Sequence, residues 1–370
     1  MSEWKTVRLG DVCEILDSKR VPITAHERKN GSYPYYGATG IQDYVADYIF
    51  DDELVLLAED GGNFGSKEKP IAYRVSGKCW VNNHAHVLKP KECLDVDYLC
   101  DSIKFYDVST IVNGATRQKL TQSAMVEMKI FLPPLETQKQ IAAQLDKCTS
   151  IITKHKQMLE KYDTLIKSRF IEMFGDPHNN TKYPYKNVGE FTTVTSGGTP
   201  DRKNNEYWKN GKIPWVKTTE LQNNELTEVE EFITQKGLDE SSAKMMPKGT
   251  LLIAMYGQGK TRGMTAYLGI EASTNQACAC ILPSKEINQR YLWYYFILSY
   301  DKLRDLAKGG NQPNLNGNMI KSFPVLMPPI DMQNKYVSFV QQIDKSKFTV
   351  QKSLEKAETL YKSLMQQYFA

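Results

Sequence analysis

Two long stretches of the chain carry apolar residues at alternating intervals of four and three positions. This pattern is the a/d seam of a coiled coil and extends over about four to five heptads in each stretch. If residues 136–174 form one helix, that helix is about 58 Å long at ~1.5 Å per residue. Packing of each helix on its own domain is the alternative to mutual pairing. The predicted seam positions are Ile141, Leu145, Ile152, Leu159, Tyr162 and Ile166 in the first stretch, and Tyr336, Val340, Ile343, Val350, Leu354 and Tyr361 in the second.

The chain is an internal duplication. The stretch LEKYDTLIKS at 159–168 recurs as LEKAETLYKS at 354–363, an offset of 195 residues. The same offset relates Pro133-Pro134 to Pro328-Pro329 and Gln138 to Gln333. Repeats of this kind are the first feature to seek, because they determine how the whole chain is divided. The sequence therefore predicts two similar halves, 1–177 and 178–370.

Each half follows one plan. Short β-rich runs such as ELVLLA, GTLLIAMY and ACACIL alternate with segments rich in Gly, Asn and Asp, which is typical of an irregular mixed domain. A Pro-Pro pair then precedes the long helix. The predicted class is α+β, a pseudo-twofold tandem repeat in which two similar mixed α/β domains (1–132 and 178–327) are separated by two long antiparallel coiled-coil helices (133–177 and 328–370). Polar His155 and Lys347 on the seam are interpreted as fixing its register.

Such an arrangement predicts a molecular caliper with two similar heads. A long, pseudo-symmetric ligand fits it, and duplex DNA is the obvious one. Composition allows this ligand but does not identify it: the net charge is +4, with 24% charged residues among 370. The seven cysteines are odd in number and contain no CxxC pair, which favours a reducing compartment. With no signal-peptide pattern and no long apolar run, we expect a cytoplasmic protein without a membrane partner.

Several motifs occur in a characteristic order, and together they resemble the specificity (S) subunit of type I restriction–modification systems. The resemblance covers essentially the whole chain. It rests on two target-recognition domains separated by helical regions, and on the motifs WKTVRLGDV (4–12), PPLETQKQIA (133–142), SRFIEMFGDP (168–177), SGGTPDRKNNEYW (196–208) and AMYGQGKTRG (254–263).

The resemblance implies a DNA-recognition and scaffold subunit that is not itself a catalyst. Each recognition domain would read one half-site of a bipartite sequence in double-stranded DNA. Two methyltransferase (M) subunits would methylate adenine N6 with S-adenosylmethionine, and restriction (R) subunits would use ATP and Mg²⁺, so the chain itself would need no cofactor. The Gly-Thr-Pro at 198–200 has no counterpart in the first half, so the two half-sites should differ. A stand-alone DNA-binding regulator with the same architecture remains the alternative.

Residues for catalysis or for a metal are not apparent. The two Pro-Pro sites follow Leu and Met, not the Asp or Asn of an amino-methyltransferase motif. His84 and His86, like Cys278 and Cys280, would place two ligands on one strand face, whereas zinc takes four. The sequence therefore predicts packed strand side chains here and no metal site.

The segment AMYGQGKTRG contains a relaxed phosphate-loop pattern, which raises a third hypothesis, a nucleotide hydrolase built around Lys260. A working phosphate loop is followed immediately by a helix whose N-terminus binds phosphate. The sequence after Thr261 has two glycines, β-favouring runs and no helical period. It therefore predicts a second strand and a hairpin.

The same loop has the chemistry to contact a DNA groove, since glutamine can pair with adenine and lysine or arginine with guanine or phosphate. Ordinary loop polarity is the alternative for every candidate. The predicted DNA-contacting residues are Gln258, Lys260, Thr261 and Arg262 in the second half; Asn63, Ser66 and Lys67 in the equivalent first-half loop; the aligned pair Arg117 and Gln312; and Lys217, Thr218 and Thr219 after the IPWV run.

Overall fold

The computed structural model describes residues 4–66, 68–114, 118–257, 259–307 and 314–369. Its contacts divide the chain into two compact units. Unit 1 comprises residues 1–156 and 352–370, and unit 2 comprises residues 157–351. Each unit thus contains one mixed region together with the beginning or end of each long helix.

Unit 1 contains a six-stranded mixed sheet and a separate two-stranded ribbon. The strands of the unit are β1 (Lys5–Arg8), β2 (Cys13–Ile15), β3 (Asn30–Gly37), β4 (Gly40–Val45), β5 (Phe50–Ala58), β6 (Ala72–Val81), β7 (Ala85–Pro90) and β8 (Lys129–Leu132). The helices of the unit include α1 (Leu9–Val12), α2 (Val96–Ile103), α3 (Gln122–Val126) and the first part of α4 (Leu135–Phe174). The sheet order is β2-β7-β5-β6-β3-β4, while β1 and β8 form a separate ribbon. The β3–β6 pair is parallel and the other neighbours are antiparallel.

The ELVLLA run forms the central strand β5 and is buried on both faces. Because successive strand side chains point to opposite faces, Val55 and Leu57 join the apolar cluster that includes α2 and α4 residues. Leu54 and Leu56 join the cluster on the other face. All four side chains are fully buried, which explains why residues 54–58 of this strand are continuously apolar and do not alternate with polar residues.

Unit 2 repeats this plan with shorter strands. Its elements are the rest of α4, then β9 (Tyr185–Asn187), α5 (Val188–Phe191), β10 (Val194–Ser196), β11 (Ile213–Val216), β12 (Asn224–Leu226), β13 (Glu231–Ile233), α6 (Gln235–Asp239), β14 (Leu251–Ala254), β15 (Thr265–Leu268), β16 (Ser273–Thr274), β17 (Cys278–Ile281), α7 (Gln289–Leu298), α8 (Tyr300–Asp305), α9 (Gly317–Lys321), β18 (Pro324–Leu326) and the first part of α10 (Ile330–Phe369). The sheets are β10-β17-β14-β15-β12, β13-β11-β16 and the β9–β18 ribbon.

The Gly197-Gly198 pair of the SGGTP motif passes close to two other backbone segments. A Cβ atom on Gly197 would lie 2.1 Å from the Thr274 carbonyl oxygen, and one on Gly198 would lie 2.3 Å from the Ser242 backbone. The Gly198 carbonyl accepts a hydrogen bond from the buried Trp215 indole at 3.0 Å. Only glycine fits at these two positions, because other backbone segments approach them closely. This close approach explains why the motif contains Gly-Gly.

The two long helices pair in opposite directions within each unit. In unit 1 the Tyr368 hydroxyl donates to Gln144 at 2.8 Å. In unit 2 the Lys347 ammonium lies 2.5 Å from the Asp163 carboxylate. The pairing confirms the predicted antiparallel arrangement, and Lys347 on the seam has an ionic partner on the facing helix. Every predicted seam residue is buried or half-buried.

A buried glutamine fixes the start of each long helix at equivalent positions. The Gln138 amide donates to the Cys93 and Pro133 carbonyls at 3.0 and 2.8 Å, and its oxygen accepts from the Asp95 N–H at 2.8 Å. Gln333 repeats two of these bonds, to Pro328 and from Asn288, both at 2.8 Å. Asp95 and Asn288 are the N-caps of α2 and α7, so one side chain joins two helix starts.

In the described part of the chain, no helix combines the length and apolar character needed to cross a membrane.

Candidate nucleic-acid interface

Each unit has one long loop after a buried strand. Loop A (59–71) follows β5, and loop B (255–264) follows β14. The element after the Gly-Lys-Thr of loop B is β15, which pairs antiparallel with β14. This confirms the predicted hairpin, and the helix on which a phosphate loop depends is replaced by a strand. The nucleotide-hydrolase hypothesis therefore lacks its structural basis.

Loop A is anchored on both sides by backbone hydrogen bonds. The Glu59 N–H donates to the His84 carbonyl at 2.9 Å, in the turn 82–84 before β7. The Glu59 carbonyl accepts from the Leu120 N–H at 2.8 Å, in the segment that leads towards the long helix. Loop A, the turn 82–84 and the residues around Leu120 thus form one contiguous surface, which we call edge 1.

Loop B has the same anchors at equivalent positions. The Met255 N–H donates to the Ala277 carbonyl at 2.8 Å, and the Met255 carbonyl accepts from Leu315 at 3.0 Å. Loop B, the turn 275–277 before β17 and the residues around Leu315 form edge 2. Of the predicted contacts, Lys67, Arg117, Gln258 and Gln312 lie outside the described residues. Each edge nevertheless brings a loop together with the segment around Leu120 or Leu315. The sequence had predicted DNA contacts in the loop and near that segment independently of each other.

Loop B is held in place by side chains of α8. The Tyr300 hydroxyl donates to the Lys260 carbonyl at 2.7 Å, and the Arg304 guanidinium donates to the Arg262 carbonyl at 2.8 Å. Arg304 also bonds the Tyr300 hydroxyl at 2.9 Å. Lys260 is exposed, while Thr261 and Arg262 are half-buried. Sequence reasoning missed Tyr300 and Arg304, because nothing in the α8 sequence signals which loop packs against it.

The predicted residues of loop A have local bonding roles. The Asn63 amide donates to the Pro70 carbonyl at 3.2 Å. The Ser66 hydroxyl oxygen accepts from the N–H groups of Glu68 and Lys69 at 3.2 and 2.9 Å. Both side chains therefore shape the loop from inside. Loop A is braced by its own polar groups, whereas loop B is braced by a neighbouring helix.

Lys217 is already neutralised by carboxylates within unit 2. Its ammonium lies 2.7 Å from Glu230 and 3.0 Å from Glu231, and hydrogen bonds to these two groups raise the pKa of Lys217. Thr218 and Thr219 lie in the single 3₁₀ turn Thr218–Glu220 that follows. A phosphate would have to compete with two carboxylates for Lys217, so the structure favours the exposed Lys260 over Lys217 as a cationic contact on this side.

A compact ionic network lies beneath edge 1. The carboxylate of Asp17 lies 2.5 Å from His86 Nδ1, and His86 Nε2 faces the Leu120 carbonyl at 2.9 Å. The Glu59 carboxylate lies 2.6 Å from Arg20 and 2.9 Å from Lys119. Each ring nitrogen of His86 thus has a protein partner.

The side chains of Asp17, Glu59 and His86 lie close together, and each has protein partners. Both ring nitrogens of His86 are in contact with oxygen atoms, and the Arg20 guanidinium lies within ion-pair distance of both carboxylates. Burial raises the pKa of Glu59, but the hydrogen bonds from Arg20 and Lys119 lower it more, and the net shift is downward. The carboxylate is thus kept ionised as an internal anchor of loop A, not as a base-reading group.

Of the two residue pairs considered as ligands, Cys278 and Cys280 are packed inside unit 2. Burial raises the pKa of both thiols, that of Cys280 to about 11. Metals bind the thiolate, so this environment disfavours coordination. In the first half, His86 belongs to the ionic network, whereas His84 lies on the surface of edge 1 with its Nδ1 2.6 Å from Asp60.

Comparison with known families gives one consistent result. The model of the type I restriction modification DNA specificity domain matches the chain twice, over residues 1–161 and 180–358. The two matches correspond to the two halves of the internal duplication.

Individual relatives agree with the family match. The chain is 27% identical over 357 residues to a candidate type I restriction enzyme specificity subunit of Haemophilus influenzae, covering 92% of this chain and 87% of that protein. It is 25% identical over 217 residues to the EcoR124I/EcoR124II specificity subunit of Escherichia coli, covering 57% and 52%. The crystal structure of the type I S subunit from M. genitalium has the same fold, with a TM-score of 0.69 at 14% identity over 100% of this chain and 96% of that one.

Proposed function

Because the chain belongs to the type I restriction–modification DNA specificity family, we propose that it is the DNA-recognition and scaffold subunit of such a system. Edge 1 and edge 2 each read one half-site of a bipartite sequence. The family is one of non-catalytic specificity subunits, and methyl transfer and cleavage belong to partner subunits.

The single observation that carries this proposal is the duplicated edge. In each unit the first residue of a long loop is hydrogen bonded on one side to the turn before the next strand and on the other to the segment before the long helix. A loop held at its base presents its tip in a defined position, which base readout requires. The side chains on the two edges differ, so the two half-sites have different sequences.

The partners follow from the family. We propose two methyltransferase subunits and one or more restriction subunits bound to this chain, together with double-stranded DNA. S-adenosylmethionine, ATP and Mg²⁺ are used by the partners, and this chain needs no cofactor. Function together with these partners implies a cytoplasmic location.

The experiment is to co-express the chain with its cognate methyltransferase subunit and to map N6-methyladenine across the host genome. We expect one split motif. The double variant Lys260→Ala/Arg262→Ala should weaken or relax the half-site read by unit 2 and leave the other half-site unchanged. Lys248→Ala, an exposed lysine of unit 2 outside loop B, is the matched control and should leave the motif intact.

The outcomes separate the two readings of the chain. A methylated split motif supports the specificity subunit. Sequence-specific binding of the isolated chain to a split site, with no methylation in the presence of an active partner subunit, would instead identify the stand-alone regulator. A change in both half-sites caused by the loop B variant would contradict the assignment of one half-site to each unit.

A further inference from the structure

Edge 1 contains a polar cavity that the proposed function does not by itself explain. The cavity has a volume of about 480 Å³ and is lined by four separate segments of unit 1: residues 22–24 with Arg28, the β3–β4 turn with Gln42, the start of loop A with Asp60, and the turn 82–84. It opens on the surface where DNA is proposed to bind.

The charges in this cavity are balanced, which argues against a phosphate ligand. Arg28 forms an ion pair with Asp43 at 3.2 Å and stacks on the Tyr35 ring at 4.2 Å. Asp60 faces His84 at 2.6 Å. A cavity with polar side chains but no uncompensated cation suits a neutral hydrogen-bonding group, such as the edge of a base.

His84 is fixed in the tautomer that offers an acceptor. Its Nδ1 lies against the Asp60 carboxylate, which can only accept, so Nδ1 carries a proton. In the neutral imidazole with the proton on Nδ1, Nε2 has a lone pair. The backbone is fixed too, because the His84 N–H donates to Asn82 Oδ1 at 2.8 Å and the His84 carbonyl accepts from Glu59. The side chain retains 36% exposure, so a ligand can reach Nε2.

Gln42 is fixed so that it offers a donor. Because Asn82 Oδ1 accepts from a backbone N–H, the other end of that amide must be Nδ2, which donates to Gln42 Oε1 at 3.1 Å. The Gln42 oxygen is thus used, and its Nε2 remains to donate. One chain of hydrogen bonds, starting at the backbone of His84, sets the orientation of both amides.

We infer that His84 and Gln42 read an adenine in the first half-site, with His84 Nε2 accepting from the N6 amino group and Gln42 Nε2 donating to N7. In the major groove only adenine presents a donor beside N7 as an acceptor; guanine presents two acceptors there, cytosine a donor and thymine an acceptor with a methyl group. This inference rests on the proposed function, since it assigns residues to one half-site.

The equivalent turn of unit 2 has different chemistry. The strand registers and the loop anchors place Ala277 at the position of His84, because the Glu59 and Met255 N–H groups donate to the carbonyls of His84 and Ala277. The alanine side chain has no hydrogen-bonding group. The acceptor that His84 offers in unit 1 therefore has no side-chain counterpart at this position of unit 2, and this gives a physical reason for the two half-sites to differ.

The first test is the methylation motif of His84→Phe and Gln42→Glu, each co-expressed with the methyltransferase subunit. Both should lose the preference for adenine at one and the same position of the first half-site, by about 5- to 150-fold, the range expected for a bidentate base contact. The second half-site should be unchanged. His26→Phe, at an exposed histidine outside the cavity lining, is the control and should retain the wild-type motif.

The second test uses purified complex and a duplex in which 7-deazaadenine replaces that adenine and so removes N7. Wild type should bind this duplex about 2- to 10-fold more weakly than the normal one, because one hydrogen bond is lost, whereas Gln42→Leu should bind the two equally. Gln42 is exposed, so this variant should fold even if His84→Phe does not. Three results would each overturn the inference. The first is that either active variant retains specificity for adenine, and the second is that the first half-site contains no adenine. The third is that 7-deazaadenine weakens DNA binding equally in wild type and Gln42→Leu. Absence of any motif with the wild-type chain would instead count against the proposed function.

Discussion

The buried glutamine at the start of each long helix gives the sharpest stability prediction. Replacing Gln138 by leucine keeps the volume but removes three hydrogen bonds. Cys93 is exposed, so its carbonyl can bind water, but the Asp95 N–H and the Pro133 carbonyl lose their partner in a buried site. At about 1–3 kcal/mol for each of these two unsatisfied groups, we expect a loss of about 2–6 kcal/mol.

For a unit of this size that loss corresponds to a fall of about 4–24 °C in melting temperature. Calorimetry of the purified chain measures the fall, and hydrogen exchange of the peptide containing Asp95 should show faster exchange of its amide. Gln333→Leu leaves an equivalent N–H and carbonyl unsatisfied, so its cost should be similar.

Gln140→Leu, an exposed glutamine two residues further along α4, is the matched control and should change the free energy of unfolding by less than about 0.5 kcal/mol. If Gln138→Leu melted within about 1 °C of this control, the assignment of Gln138 as an obligatory hydrogen-bonding group would be wrong.

Three further predictions concern other parts of the chain. Phe170 is fully buried in an aromatic cluster at the end of α4. In thermal unfolding, Phe170→Ala should lower the free energy of unfolding by about 3–5 kcal/mol. The neighbouring Ile171 is 46% exposed, so Ile171→Ala should lower it by less than about 1 kcal/mol. The folded-state pKa of Glu59 is depressed, so its contribution to stability is present above the unfolded value of 4.5 and is lost as pH falls through the folded value. In acid titrations below about pH 4.5, wild type should therefore lose stability more steeply than Glu59→Gln. Parallel stability curves for the two proteins would contradict this. Tyr300→Phe removes the bond to the Lys260 carbonyl and should weaken binding of the unit 2 half-site about 2- to 10-fold in a fluorescence titration, with no effect on the other half-site; unchanged affinity would show that α8 does not position loop B.

Periodicity and repetition were sufficient to predict the architecture. The four-and-three spacing of apolar residues gave the long helices, because a side chain on a helix returns to the same face at those intervals. The offset of 195 residues relates the observed helix bounds as well, from Leu135–Phe174 to Ile330–Phe369. The two glycines after Thr261 and the absence of a helical period predicted the strand β15 in place of a phosphate-loop helix.

The candidate site was predicted only in part. Loop B was identified from its own residues, since a run of glycines with Lys260 and Arg262 is a local signal. Tyr300, Arg304, Gln42 and His84 were missed as site residues because their roles depend on partners far away in sequence. The sequence alignment of NHAH with NQAC places His84 opposite Gln276, whereas the strand registers place Ala277 at its position.

By itself, the sequence determined the class of fold, the duplication, the helix pairing and the family, because these depend on patterns repeated over many residues, where individual exceptions do not matter. Only the tertiary structure decided which polar groups remain available to a ligand. Glu59 and Lys217 look like surface contacts in the sequence, yet each is bonded to oppositely charged groups from other segments. Hydrogen-bond capacity is used up by whichever group lies within about 3 Å, and that proximity is set by folding, not by position along the chain.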